Sequence, residues 1–240
     1  MRTRILFIGN SYTLRNDMSR SIFLPLSQAA GFDVEVEAIL KGGYTLERFA
    51  NPDDEKGALV AEALDIKNKG RYDFVILQEQ SLRPIKDRER FFGGVRALAE
   101  KITALGATPV LYSTWGRKRG SPDLTELNMT NESMTFALAA AYRAIGTELG
   151  IPVAEVGFAF YDVYNNRSDI ELYDPDFYHP IYAGSYLAAA TLFAKIFNVD
   201  PVSVEYSGAL DEDQALVLRR GARDAVFFPP TIPDNYVMNS

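Results

Sequence analysis

The chain has 240 residues, 47% of them hydrophobic, enough to bury one substantial core; the expectation is a single domain over 1–240, with a core at 4–197 and a C-terminal helix and tail at 200–240. Its 25 basic and 32 acidic residues leave a formal charge of −7, which argues against a nucleic-acid or anionic-membrane partner, and the cluster Arg117-Lys118-Arg119 is too small to reverse that. Zero cysteines and a lone histidine exclude disulfides, thiolate catalysis and any multi-His or Cys-based metal centre, so neither metal nor cofactor is expected.

In chain order, an apolar strand over 4–9 runs into Gly9-Asn10-Ser11, and Met18, Ile22, Leu26 and Ala29 then recur at helical spacing over 17–30. A strand over 33–39 leads into Lys41-Gly42-Gly43-Tyr44-Thr45-Leu46 and a helix over 55–69. A strand over 73–78 ends in Gln78-Glu79-Gln80-Ser81 and is followed by a helix over 88–105. Strand 108–113 precedes Trp115, helix 131–149 and strand 151–154; helix 183–197 follows His179, an extra helix spans 211–226, and FFPPTIPDNYVMNS reads as an irregular tail. Such alternation predicts right-handed crossovers and a five-stranded parallel sheet covered on both faces, an α/β/α sandwich of flavodoxin-like order 2-1-3-4-5. No run approaches the roughly 18 to 20 apolar residues of a membrane span. Residues 1–9 enter the first strand without a leader pattern, and the compartment, cytoplasm or periplasm, stays open.

Ligands of such sheets bind beyond the carboxyl ends of the strands, and Ser11, Gly43, Gln80 and Trp115 each fall just after a predicted strand. Ser11 stands at a strand-to-helix turn, where it is either a helix cap or a nucleophile. A serine hydroxyl needs a base, and an imidazole base needs a carboxylate to fix its tautomer. The chain's one histidine, His179, lies three residues after Asp176, so Ser11, His179 and Asp176 supply all three parts.

These strings resemble the SGNH (GDSL-like) hydrolase superfamily, which pairs a Gly-Asp-Ser or Gly-Asn-Ser string near the N-terminus with Asp-x-x-His near the C-terminus, here Gly9-Asn10-Ser11 and Asp176-Phe177-Tyr178-His179. The likeness spans residues 4 to about 197. It implies a serine esterase working through an acyl-enzyme, with an oxyanion hole from the Ser11 and Gly43 backbone N–H groups and a third donor. At that third position the family usually reads Gly-x-Asn-Asp; aligning on the strand puts Gln80 there, with Gln78, on the same strand side, as the alternative. The resemblance also implies the substrate class, a small-molecule or saccharide ester and most plausibly a short acyl group on a carbohydrate. Flat rings suit a sugar's C–H faces, which singles out Trp115 and Tyr178 as substrate-binding residues. Glu79, Asp174 and Glu155 receive no role. Two other readings remain: a catalytically silent carbohydrate-binding protein, favoured by the altered third string, and a phosphodiesterase, for which only Arg15 lies near Ser11 in sequence.

Overall fold

The computed structural model describes residues 2–234 and Tyr236. Residues 235 and 237–240 of the expected irregular tail lie outside the described set. Strands β1 (Thr3–Gly9), β2 (Val34–Leu40), β3 (Phe74–Leu77), β4 (Thr108–Tyr112) and β5 (Val153–Ala154) form one parallel sheet in the order β2-β1-β3-β4-β5. Ile8 of β1 sits between Ile39 and Leu77, so the carboxyl ends of β2, β1 and β3 finish level and deliver their loops to one edge.

Near-continuous apolar strands are required because both faces are covered. Ile5 and Phe7 pack into a layer containing the Leu24–Ala29, Val156–Asn166, Tyr182–Phe197 and Glu212–Phe227 helices. Leu6 and Ile8, one residue out of phase, pack into the opposite layer with the Leu46–Ala50, Glu55–Ala63 and Arg88–Ala104 helices and with Tyr142 and Ile145 of the Asn131–Leu149 helix. Pro109 is tolerated within β4 because β5 is only two residues long. The amides of Leu111 and Ser113 donate toward β5, at 2.9 and 3.0 Å, and the amide Pro109 lacks belongs to that same row, before β5 begins.

The helix expected over 17–30 is present from Met18, as a π-helical turn, Met18–Phe23, that leads into Leu24–Ala29. Ahead of it a single turn, Ser11–Leu14, starts directly at the serine and a 3₁₀ turn covers Arg15–Asp17. The two are separated at Asn16 and Asp17, with φ of 57° and 45°. Asn16 is held there by tertiary bonds: its Nδ2 donates to Ser185 Oγ at 2.8 Å and Pro180 O at 3.3 Å. The helix expected over 55–69 stops at Ala63, after which Asp65 accepts from the Lys67 amide at 2.9 Å and caps a separate 3₁₀ turn, Ile66–Asn68. Helices Leu46–Ala50, Arg83–Lys86, Pro122–Glu126 and Val156–Asn166 were not expected; the extra C-terminal helix is present as Glu212–Phe227, capped by Asp211. Among the described residues, no helix is long and apolar enough to cross a membrane.

Candidate active site

The β1 strand ends on Gly9 because nothing larger fits: a Cβ there would lie 2.9 Å from Gln78 Oε1 and 3.0 Å from Thr13 Oγ1. Asn10 follows, buried, and ties three loops together. Its amide donates to Gln78 Oε1 at 2.9 Å, its Nδ2 donates to Tyr44 O at 2.9 Å, and its Oδ1 accepts from Gln78 Nε2 at 2.8 Å. Ser11 is thereby fixed at the start of a one-turn helix, so the site draws on its first N–H groups rather than on the dipole of a long helix. The Asn10–Tyr44 bond also holds the loop after β2, where Gly43 takes φ +72° in the turn closed by the Tyr44 amide on Lys41 O, 3.2 Å.

In the loop after β3, Gln80 Oε1 accepts from the Leu82 and Arg83 amides at 2.9 and 3.0 Å, which fixes the side-chain amide and leaves its NH₂ as the group still to be satisfied. Gln78 is different. Besides its bonds to Asn10, its Oε1 accepts from Thr13 Oγ1 at 3.1 Å and its Nε2 donates to Glu79 O at 2.5 Å, and it is only 1% exposed. The alternative assignment of an oxyanion donor to Gln78 is therefore corrected: both ends of its amide are committed to organising the loops. Glu79, between the two, is fully buried and accepts from the Gln80 amide at 2.6 Å and the Leu46 amide at 3.2 Å. Burial pushes its carboxyl up to about 8, against the opposing pull of those two amides and Arg83.

The Asp176-x-x-His179 spacing has a local cause. Asp176 Oδ1 accepts from the Tyr178 and His179 amides at 3.1 and 2.9 Å, curling the chain so that Oδ2 meets the His179 ring Nδ1 at 2.6 Å. The loop is pinched shut by a Tyr173–Pro180 bridge and passes through Phe177 at φ 72°. Burial acts to raise the Asp176 carboxyl, but the His179 amide and ring and the Tyr178 amide outweigh it and hold it below the usual range. A carboxylate on Nδ1 assigns the ring proton to that nitrogen. The other, Nε2, is buried and has no partner among the described residues. Arg15 stands behind the pair, its Nη1 3.2 Å from Asp174 Oδ2 and its Nη2 3.5 Å from His179 Nδ1 and 3.9 Å from Asp176 Oδ2, so this cation is engaged by the Asp176–His179 loop.

A cavity of about 470 Å³ collects these loops, lined by Asn10, Ser11, Gly43, Gln80, Tyr178 and His179 among others. Ser11, Gly43, Gln80, His179 and Tyr178 are thus brought to one place, with Asp176 behind His179. Trp115 is not with them, and its expected role as a sugar platform is corrected. It is fully buried, sandwiched between Tyr12 at 4.3 Å and Phe160 at 3.8 Å with both planes nearly parallel. Both faces of the ring are used, and its Nε1 donates to Tyr178 O at 3.0 Å, clamping the His179 loop to the loop after β4. Two further cavity residues escaped the sequence reading, Arg117 and Asp123. The only signal is position: Arg117 lies two residues beyond Trp115, within the basic cluster Arg117-Lys118-Arg119.

No protein-family model and no curated protein matches this chain. Among solved structures, a protein from Slackia heliotrinireducens described as an SGNH hydrolase is 33% identical, covering 82% of this chain and 100% of that one at a TM-score of 0.69. A DUF4886 family protein from Bacteroides uniformis is 18% identical, covering 97% of this chain and 98% of that one at a TM-score of 0.77. An acetylxylan esterase from Geobacillus stearothermophilus, solved as a catalytic mutant, is 16% identical, covering 81% and 94% at a TM-score of 0.58. The last two likenesses are likenesses of fold.

Proposed function

This chain belongs to the SGNH hydrolase superfamily and is a serine ester hydrolase, and from that premise we propose that Ser11, His179 and Asp176 are its catalytic triad and that it removes a short acyl group, such as acetate, from a carbohydrate. The observation that carries the reading is the Asp176–His179 pair, whose buried Nε2 has no partner among the described residues and faces a cavity lined by both His179 and Ser11. Ser11 Oγ attacks the ester carbonyl carbon while its proton passes to His179 Nε2. The negative charge on the former carbonyl oxygen is met by the Ser11 and Gly43 N–H groups and by Gln80 Nε2. Collapse of this intermediate breaks the ester C–O bond, the alcohol leaves with the proton from His179, and the acyl group stays on Ser11. Water, deprotonated by the same imidazole, then releases the acid. Asp176 stabilises the imidazolium formed in each half.

The polar alcohol is supported by the cavity of about 470 Å³, where Asn10, Gln80, Ser81, Arg117 and Asp123 place hydrogen-bonding groups beside Tyr12 and Tyr178. A fluorophosphonate tests the nucleophile. It should label Ser11 in the full chain and leave the Ser11→Ala protein unlabelled; equal labelling of that variant removes Ser11 from the role. A p-nitrophenyl ester series tests the acyl group, with kcat/KM expected to fall as the acyl chain lengthens beyond a few carbons.

A further inference from the structure

Arg117 is a buried cation on the wall of the cavity that holds Ser11, with a side chain only 3% exposed. It is held from all sides. Its carbonyl accepts from Asn131 Nδ2 at 2.8 Å, its Nε donates to Asp123 Oδ2 at 2.6 Å, its Nη1 donates to the Tyr12 hydroxyl, and its guanidinium lies 4.6 Å from the Tyr178 ring centre. The residues on either side are also fixed to the histidine loop, Trp115 through Tyr178 O and Lys118 through its amide to Phe177 O at 2.9 Å. Nothing in the triad chemistry requires this ion pair, and taking an arginine and a carboxylate partly out of water is costly without a use.

Two hydrogen-bonding groups of the pair are left over. A guanidinium carries five donors, and Nη2 has no partner among the described residues. Asp123 Oδ1 likewise accepts from none of them. Donor and acceptor belong to one ion pair of zero net charge on the cavity wall. An apolar alcohol leaves both unsatisfied, and an anionic one is repelled by Asp123 as much as it is drawn to Arg117. A neutral hydroxyl, which donates and accepts at once, matches, and two neighbouring hydroxyls match better.

We infer that the Arg117–Asp123 pair is the specificity determinant for the alcohol half of the ester, reading neighbouring neutral hydroxyls on a polyol or sugar ring beside the Ser11 centre. The inference deepens the proposed ester hydrolysis and rests on it. Tyr178, whose ring is packed against Arg117, forms the adjoining wall. The pre-set geometry means that recognition does not await a loop closure.

The experiment compares kcat/KM for an acetylated xylo-oligosaccharide with kcat/KM for p-nitrophenyl acetate, which has no hydroxyls to read, in the full chain and in Asp123→Asn and Arg117→Lys. Asp123 is half-buried at the start of a short surface helix, so Asp123→Asn guards against loss of fold if Arg117→Lys misfolds. The ratio of the two constants should fall by roughly 10- to 100-fold in the variants, mostly through KM of the saccharide ester. Xylobiose, unesterified, should bind the Ser11→Ala protein in titration calorimetry and bind it more weakly when Asp123→Asn is added. A ratio unchanged in both variants, or a full chain that prefers an ester bearing a carboxylate on its alcohol, overturns the inference and leaves ester hydrolysis standing. Failure of the full chain to turn over any ester overturns both.

Discussion

A glutamine reaches one methylene further than the asparagine it replaces and is correspondingly harder to aim, so its use as an oxyanion donor depends on what fixes it. Here the Leu82 and Arg83 amides hold its oxygen. If Gln80 supplies the third donor, Gln80→Ala lowers the single-turnover acylation rate by roughly 10²-fold with little change in substrate binding. Gln78→Ala fails in a different way. It strips Asn10 of two partners and leaves a buried cavity, so its main effect is a drop in thermal midpoint equivalent to roughly 2 to 4 kcal/mol. Stopped-flow acylation and thermal melts on both variants separate the cases, and a rate loss in Gln78→Ala at full stability contradicts them. Asp176→Asn isolates another single contribution. An Asn oxygen still accepts the Tyr178 and His179 amides, so the turn survives, but the counter-charge is lost and turnover falls by about 10⁴-fold while the melting temperature at neutral pH drops only by the small share the charge contributes.

At the scale of elements, the site is an agreement among loops. Trp115 is the stack that enforces it, with Tyr12 and Phe160 on its faces and Tyr178 O on its Nε1. Trp115→Phe keeps most of the stacking and loses the hydrogen bond. It should cost roughly 1 to 2 kcal/mol by denaturant titration while slowing turnover more than that loss accounts for, because the His179 loop is no longer clamped. Trp115→Ala should cost about 3 to 5 kcal/mol. What the sequence made legible follows the same division. Strands with both faces buried are near-continuous apolar runs; alternation with helices calls for a parallel sheet, and the order 2-1-3-4-5 is that of the flavodoxin-like class such alternation suggests. The Asp176–His179 pair is a contiguous string whose geometry is set within a few residues; Gly9-Asn10-Ser11 is legible as a contiguous string, although its geometry is held by the distant Gln78 and Tyr44. What escaped depends on contacts distant in sequence. The Asn16 bonds to Ser185 and Pro180, which separate the serine's one-turn helix from the helix after it, span more than 160 residues, and the sandwich that makes Trp115 structural joins residues 12, 115 and 160. The Val156–Asn166 helix escaped because it opens on a short, buried apolar run, Val156–Phe160, of a kind that helix and strand share, with no side-chain cap to mark its start.

Over the whole molecule, the fold keeps two carboxyls among its most buried polar groups, Glu79 behind the oxyanion loop and Glu155 after β5. Burial raises both: Glu79 to about 8, and Glu155 despite the opposing charge and hydrogen bond of Arg143. The unfolded chain releases the Glu79 proton near the ordinary value of 4.5, whereas the folded chain keeps it until about 8. Between those limits the folded state holds a proton that the unfolded state has lost, so Glu79 makes stability fall as pH rises, by up to about 1.4 kcal/mol per pH unit, and the fall ends once the folded carboxyl has ionised. Asp176 acts with the opposite sign, its contribution being present at neutral pH and lost as acid protonates it. Unfolding free energy should therefore peak in the mildly acidic range. Glu79→Gln keeps an oxygen for the Leu46 and Gln80 amides and removes the titration, so its stability should decline less between pH 5 and 8 than that of the unmodified chain and exceed it above about pH 8. Urea titrations of both proteins at half-unit pH intervals check this: parallel stability curves across that window would mean that Glu79 is already ionised in the folded state and that its amide partners, not burial, set its charge.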